Sequence, residues 1–374
     1  MSIATQPPLS TTVQLFCLPY AGGAAGAFRE LRRVAGGRFE VVPIQLPGRE
    51  ERGDEPPEFS VSALADEIAP HTGRPYAIYG HSMGARLAFE VVRELRRRGL
   101  PLPERLLVGA AHPPDRRVPL AATTDLPDDA FIDQLVRRAG AQPELRDEPE
   151  LRAWSLPILR ADFRWIRAYR YLAEPPLDVP VVAFAGADDQ EVGPGDLLGW
   201  ARHTSAGFGL RTVAAGHLFL RDAPTELARL LAEELGAPTE DLGTRAGEVR
   251  VSAVPSPGVA ICRVTPYASI VEALDPEEAG WIESAAEEER DRLAARVAAA
   301  RQALGSATGV PPDRFAFTDP ATRGAWRPVG DPALESWRVL VLPLPVRQGE
   351  AVLAVAAPYE RILLRLDLAP GWAP

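Results

Sequence analysis

The chain contains no lysine, and all 41 of its basic residues are arginine. That absence excludes Schiff-base chemistry on a lysine, a phosphate-binding P-loop and a serine–lysine dyad. Codon bias in a GC-rich genome accounts for it and also suits the abundance of Ala, Pro and Arg. Only two cysteines are present, Cys17 and Cys262, far apart and with no His or Cys at ligand spacing. Neither a disulfide framework nor a zinc site is expected, only two buried, reduced thiols. No apolar run is long enough to cross a bilayer, and Met1 to Gln6 form neither the basic nor the apolar part of an export signal. A cytoplasmic protein without a membrane partner is expected. The net charge of -10 speaks against nucleic acid, because phosphate binding needs a basic surface.

What the chain has is length and apolar content. Its 374 residues, 46% of them hydrophobic, predict two units with the first the larger. From Thr11 to about Gly236, β-type runs alternate with helical patterns, the mark of an α/β fold with a mostly parallel sheet. The runs 13–18, 39–44, 76–79, 106–110 and 181–185 read as strands, and 61–70, 85–98 and 225–235 as amphipathic helices. The alternation breaks from about 120 to 178, far too long for a connecting loop. There Asp128-Asp129 can cap a helix over 130–139, and a second helix runs from Pro149 to Tyr171 with a kink expected at Pro157. Leu159, Phe163 and Ile166, with Trp154, Trp165 and Tyr169, give this segment a broad apolar face. Two readings are open for it: a lid over a substrate, or an ordinary core helix pair.

Residues 237–257, rich in Pro, Gly and charge, read as a linker. The second unit, 258–374, reads as a smaller α+β domain: a strand at 259–264, a helix after Asp275-Pro276, a long Ala/Arg/Glu helix over 281–304, and strands at 337–342, 351–356 and 361–367.

The chemistry lies in the first unit. Gly80-His81-Ser82-Met83-Gly84 stands between a strand and a helix, the setting of a nucleophile elbow, where flanking glycines let a strained turn form and expose Ser82. Serine needs a base to take its proton. Among five histidines His217 fits, since Leu210 to Val213 reads as a late strand and Gly216 frees the turn before it. His81, next to Ser82, should point away, and His71, His112 and His203 read as solvated or packed. For the acid, Gly186-Ala187-Asp188-Asp189 follows strand 181–185 and offers two carboxylates, between which position does not choose. Donors for a developing oxyanion are expected from the Met83 amide and from Ala21 in the small-residue loop Leu18 to Ala24.

The first unit resembles the type II thioesterases, the stand-alone editing thioesterases of nonribosomal peptide and polyketide synthases. The resemblance spans about 11–236 and is carried by Leu18-Pro19-Tyr20-Ala21-Gly22-Gly23, Gln45-Leu46-Pro47-Gly48-Arg49-Glu50-Glu51-Arg52, Gly80-His81-Ser82-Met83-Gly84, Leu156-Pro157-Ile158-Leu159-Arg160-Ala161-Asp162-Phe163 and Gly216-His217. It implies an α/β-hydrolase fold with a helical lid insertion, Asp189 as the triad acid, and Trp154, Leu159, Phe163 and Ile166 as lid contacts. The activity implied is hydrolysis of acyl groups from the phosphopantetheine arm of an acyl or peptidyl carrier protein, with no cofactor and no metal. An acyltransferase on the same triad, and a carrier-binding scaffold with a vestigial site, are the alternatives. The second unit faintly resembles one half of a single-chain phosphopantetheinyl transferase, through Leu274 to Glu278, Arg290 to Leu304 and Ala351 to Asp367. It lacks the catalytic lysine, and the magnesium-binding Asp-x-Glu is reduced to Asp367-Leu368-Ala369. Docking a carrier protein, docking another partner and stabilising a dimer are its open roles.

Overall fold

The computed structural model describes residues 12–239, 248–251, 259–263, 276–311, 314–318, 325–344, 351–359 and 362–368. Six parallel strands build the main sheet: β1 (Gln14–Leu18), β2 (Glu40–Pro43), β3 (Tyr76–His81), β4 (Leu106–Gly109), β5 (Val181–Gly186) and β6 (Phe208–Val213), in the order β2-β1-β3-β4-β5-β6. Every residue of β1, β3 and β5 is buried, because helices cover both faces and leave no position for a polar alternation. The helices of this unit are α1 (Arg29–Ala35), α2 (Val61–Ile68), α3 (Met83–Arg97), α4 (Asp128–Ala139), α5 (Glu144–Asp147), α6 (Pro149–Ala168), α7 (Pro194–Leu197), α8 (Phe219–Asp222) and α9 (Pro224–Glu234). One face packs on α1 and α9 through Leu31, Ala35, Leu227 and Leu231. The other packs on α2 and α3 through Leu64, Ile68, Leu87 and Val91. This is the fold of an α/β-hydrolase with a helical insertion.

The insertion between β4 and β5 holds α4, α5 and α6. Asp128 and Asp129 do not cap α4; Pro127 holds the N-cap position and the two carboxylates stand in the first turn. There they face the positive end of the helix dipole and pair with Arg160 and Arg152 of α6, at 2.6 and 2.5 Å. α6 starts with Pro149 at its first position, keeps Pro157 inside, and ends at Ala168 rather than at Tyr171.

Beyond Gly236 come β7 (Glu248–Val251), β8 (Val259–Arg263), α10 (Pro276–Ser284), α11 (Glu287–Thr308), β9 (Ala316–Thr318), β10 (Ala325–Val329), β11 (Arg338–Leu344), β12 (Ala351–Ala357) and β13 (Leu363–Leu368). An antiparallel sheet in the order β8-β12-β11-β10-β9 carries α11 on one face, as an α+β unit should. Three details differ from the sequence reading. The stretch read as a linker contains strand β7. The helix expected over 281–304 is divided at Ala285-Ala286, with Trp281 to Ser284 belonging to α10. Most significantly, β13 leaves the second unit and pairs antiparallel with β6, with β7 parallel beyond it, so the main sheet has eight strands. Local pattern identifies a strand but not its partner, so this pairing was not visible in the sequence. Asp275 and Ala369 lie outside the described residues.

Candidate active site

β3 turns into α3 through Ser82, whose backbone sits at φ 54° and ψ -113°. A positive φ at a residue with a side chain costs about 1–3 kcal/mol and persists only where the surroundings enforce it. Here they do. A Cβ on Gly80 would stand 2.1 Å from the Gly84 carbonyl oxygen, and one on Gly84 2.1 Å from that of Leu18, so the turn closes only with glycine at both places. The Ser82 N–H donates to the Gly109 carbonyl of the neighbouring strand at 2.7 Å.

The loop after β6 brings His217 to this serine. His217 Nε2 lies 3.0 Å from Ser82 Oγ, and its Nδ1 lies 2.8 Å from Asp189 Oδ2. A carboxylate only accepts, so Nδ1 carries the proton and Nε2 is left to accept the Ser82 hydroxyl hydrogen. The other Asp189 oxygen accepts the N–H groups of Glu191 and Val192 at 2.8 and 3.0 Å, which fixes the carboxylate. Of the two acids left open by position, Asp189 is thus the one against the histidine, while Asp188 is exposed. His203 is packed and hydrogen-bonded to Asp115, His71 is exposed, and His112 is buried in the wall of the cavity next to Ser82.

His81 points away from the serine, as expected, but not idly. Its Nε2 donates to the His217 carbonyl at 2.8 Å, so its Nδ1 accepts from the Tyr79 hydroxyl, also at 2.8 Å. Complete burial, with the nearby His217 in second place, pulls its pKa down to about 3. His81 is therefore a neutral tether for the backbone of His217, a contact that only the folded chain reveals.

Ser82 and His217 open into a cavity of about 240 Å³. Ala21 and Met83 line it, Met83 as the first residue of α3, whose amide has no acceptor within the helix. The insertion supplies most of the apolar wall: Leu135 of α4, Leu145 of α5, and Leu159, Phe163 and Ile166 of α6. Trp154 lines it as well but is 57% exposed, which sets it at the rim, whereas the other three α6 residues are buried. The insertion thus covers the cavity in which Ser82 lies.

Two ion pairs fasten that cover. Arg49 and Asp162, both fully buried side chains, form a two-point pair at 2.9 Å. Asp162 also accepts the Gly22 N–H at 2.7 Å, and Arg49 donates to the Gly23 carbonyl. Burial pushes the Asp162 carboxyl above the usual range, and the Arg49 hydrogen bonds oppose it. α6 is thereby joined to the loop that carries Ala21. On the other side Glu191, two residues after Asp189, accepts the Leu120 N–H and pairs with Arg138 of α4 at 2.6 Å. The sequence motifs contained Arg49 and Asp162 without indicating these partners, and Glu191 lies two residues beyond the Asp188-Asp189 motif.

The thioesterase domain family matches residues 13–235, more than half of the chain. The chain belongs to the thioesterase family. The gramicidin S biosynthesis protein GrsT of Aneurinibacillus migulanus is 36% identical over 229 residues, which span 60% of this thioesterase and 89% of the relative. The thioesterase PikA5 of Streptomyces venezuelae is 34% identical over 242 residues, spanning 62% and 85%. Among solved structures, the RedJ thioesterase from the prodiginine pathway of Streptomyces coelicolor aligns with a TM-score of 0.55 at 36% identity, covering 63% of this chain and 94% of that one. The type II thioesterase BorB of the borrelidin cluster aligns at 0.53 with 34% identity, covering 62% and 95%.

Proposed function

We propose that this thioesterase is of the type II, editing kind that serves nonribosomal peptide or polyketide assembly, with the thioester between an acyl group and the phosphopantetheine of a carrier protein as its substrate. The observation that carries the reading is the unbroken relay from Asp189 through His217 to Ser82, opening into an apolar cavity roofed by the insertion. The relative named for gramicidin S biosynthesis, at 36% identity, and the type II thioesterase of the borrelidin cluster, at 34%, support the setting.

In the mechanism, His217 Nε2 takes the Ser82 hydroxyl proton while Oγ attacks the thioester carbonyl. The amides of Met83 and Ala21 receive the developing oxyanion. The carbon–sulfur bond breaks, and the thiol leaves with the proton held by His217. Water then attacks the acyl-enzyme with the same nitrogen as base, releasing the free acid and restoring Ser82. Asp189 keeps the imidazole in the required tautomer and stabilises its charged form.

We assign no phosphopantetheinyl transfer to the second unit. The chain has no lysine, and Asp367 is bonded to Arg211 of the main sheet at 2.5 Å. The test of the reading is turnover of acyl-carrier-protein and short acyl-CoA thioesters by the unaltered chain and by Ser82→Ala. Loss of turnover in the variant is expected, and parent rates would end the mechanism.

A further inference from the structure

The thioesterase match stops at residue 235, yet the rest of the chain is built into the sheet that carries the base. Its strands show why. β11 and β12 are apolar on both faces, so each face needs a cover. α11 covers one, through Val339, Val341, Val352 and Ala354. The other face, with Leu340, Leu342, Leu353 and Val355, belongs to the same core as Leu197, Trp200 and Phe208 of the hydrolase unit.

We propose that the C-terminal extension is a positioning brace for the acid and the base of the triad, acting through Pro343 seated on Gly195 and through β13 paired along β6. The proposal rests on the Ser82–His217–Asp189 reading. At the first point, a Cβ on Gly195 would meet Pro343 Cδ at 3.1 Å and Leu342 Cδ2 at 3.7 Å, so the backbone of α7 lies directly against β11. From there a short hydrogen-bonded segment leads back to the acid: Gly193 N–H donates to Asp196, and Glu191 and Val192 donate to Asp189. At the second point, β13 pairs with Phe208 to Arg211 of β6, and the Leu364 N–H donates to Thr212 Oγ1 at 2.5 Å. β6 runs straight into the loop of His217. Without β13 its outer edge would be an open row of backbone donors and acceptors. Triad geometry has a tolerance of about 0.5 Å, and a shift of about 1 Å can cost about a hundredfold in rate. A body packed against both supports holds them within that limit.

The test uses the full chain. Gly195→Val inserts a side chain where Pro343 stands. It should lower kcat and the rate of Ser82 labelling by a fluorophosphonate about tenfold to a hundredfold. KM should stay within about threefold, since no cavity-lining residue is altered. Adding Pro343→Ala to that variant makes room and should restore most of the lost rate, read per folded molecule so that a change in stability alone does not count. Thr212→Val, which keeps the shape and loses the bond to Leu364, should slow labelling about threefold. It decides the question if Gly195→Val does not fold. Parent labelling rates in folded Gly195→Val, a loss that Pro343→Ala leaves unrestored, or parent rates in Thr212→Val overturn the brace. A parent chain that fails to label at Ser82 overturns the triad reading, and the brace with it.

Discussion

The two parts of the molecule bury different things. Around Ser82 the chain buries polar groups and strain: a positive φ at Ser82 itself, a neutral His81, the Asp189 carboxylate and the Arg49–Asp162 pair, each held by named partners. In the extension it buries aliphatic strands and a helix rich in alanine, and an inward ion pair, Arg301 to Glu278 at 2.7 Å, joins α11 to α10. Strained backbone and buried charge are costly, and they collect where chemistry requires them; mainly apolar packing serves support. The comparison therefore assigns reactivity to the first part and rigidity to the second.

The largest effect should come from removing the hydroxyl of Ser82 while leaving its strained backbone in place. Ser82→Ala should lower turnover by about 10⁴- to 10⁶-fold while leaving the thermal midpoint unchanged or slightly higher, as calorimetry beside the kinetic assay will read. Asp189→Asn should come next, at about 10⁴-fold in kcat, because the amide no longer fixes the tautomer of His217. KM should change little.

Breaking the buried pair sharpens the contrast between holding and reacting. Arg49→Met leaves Asp162 buried without its guanidinium and should cost about 3–5 kcal/mol in denaturant unfolding. Arg49→Met with Asp162→Leu should recover most of that stability. It should not recover kcat, because the Gly22 N–H that orients the loop of Ala21 has lost its acceptor.

His81 adds a dependence on pH. Its folded pKa of about 3 lies below the unfolded value of about 6.5, so the unfolded chain binds a proton in that window and the folded chain does not. Stability should therefore be full above about pH 6.5 and fall toward pH 3, by about 2 kcal/mol at pH 5 from this group. Burial lowers the His203 imidazole as well and acts in the same direction. Urea midpoints near pH 7.5 and near pH 5 should differ less for His81→Gln than for the parent.

The smallest catalytic effect should come from the second part, away from the brace. Glu278→Gln removes the charge that faces Arg301 and should lower the unfolding midpoint, while kcat per folded molecule stays at the parent value.

How far the sequence reached follows from where each feature is encoded. The elbow, its strand and helix, and His217 after a late strand rest on local pattern and special glycines, and the folded chain brings those residues together. The six parallel strands were legible for the same reason, because a doubly covered sheet writes itself as continuous apolar runs. Asp188 and Asp189 could not be separated by position, since one residue in a loop reverses which side chain turns inward. The tether from His81 to His217, the Arg49–Asp162 pair and the union of β13 with β6 join residues more than a hundred positions apart, where local periodicity carries no information. The break between α10 and α11 falls within an alanine-rich run whose pattern reads as one helix.

A single turnover in ¹⁸O-labelled water shows whether Ser82 passes the acyl group of a carrier-bound thioester to water. A free acid carrying one ¹⁸O atom and a carrier with its thiol restored are expected, with no release by Ser82→Ala. Release of an ester or amide without ¹⁸O, or labelled acid formed by Ser82→Ala at the parent rate, would contradict it.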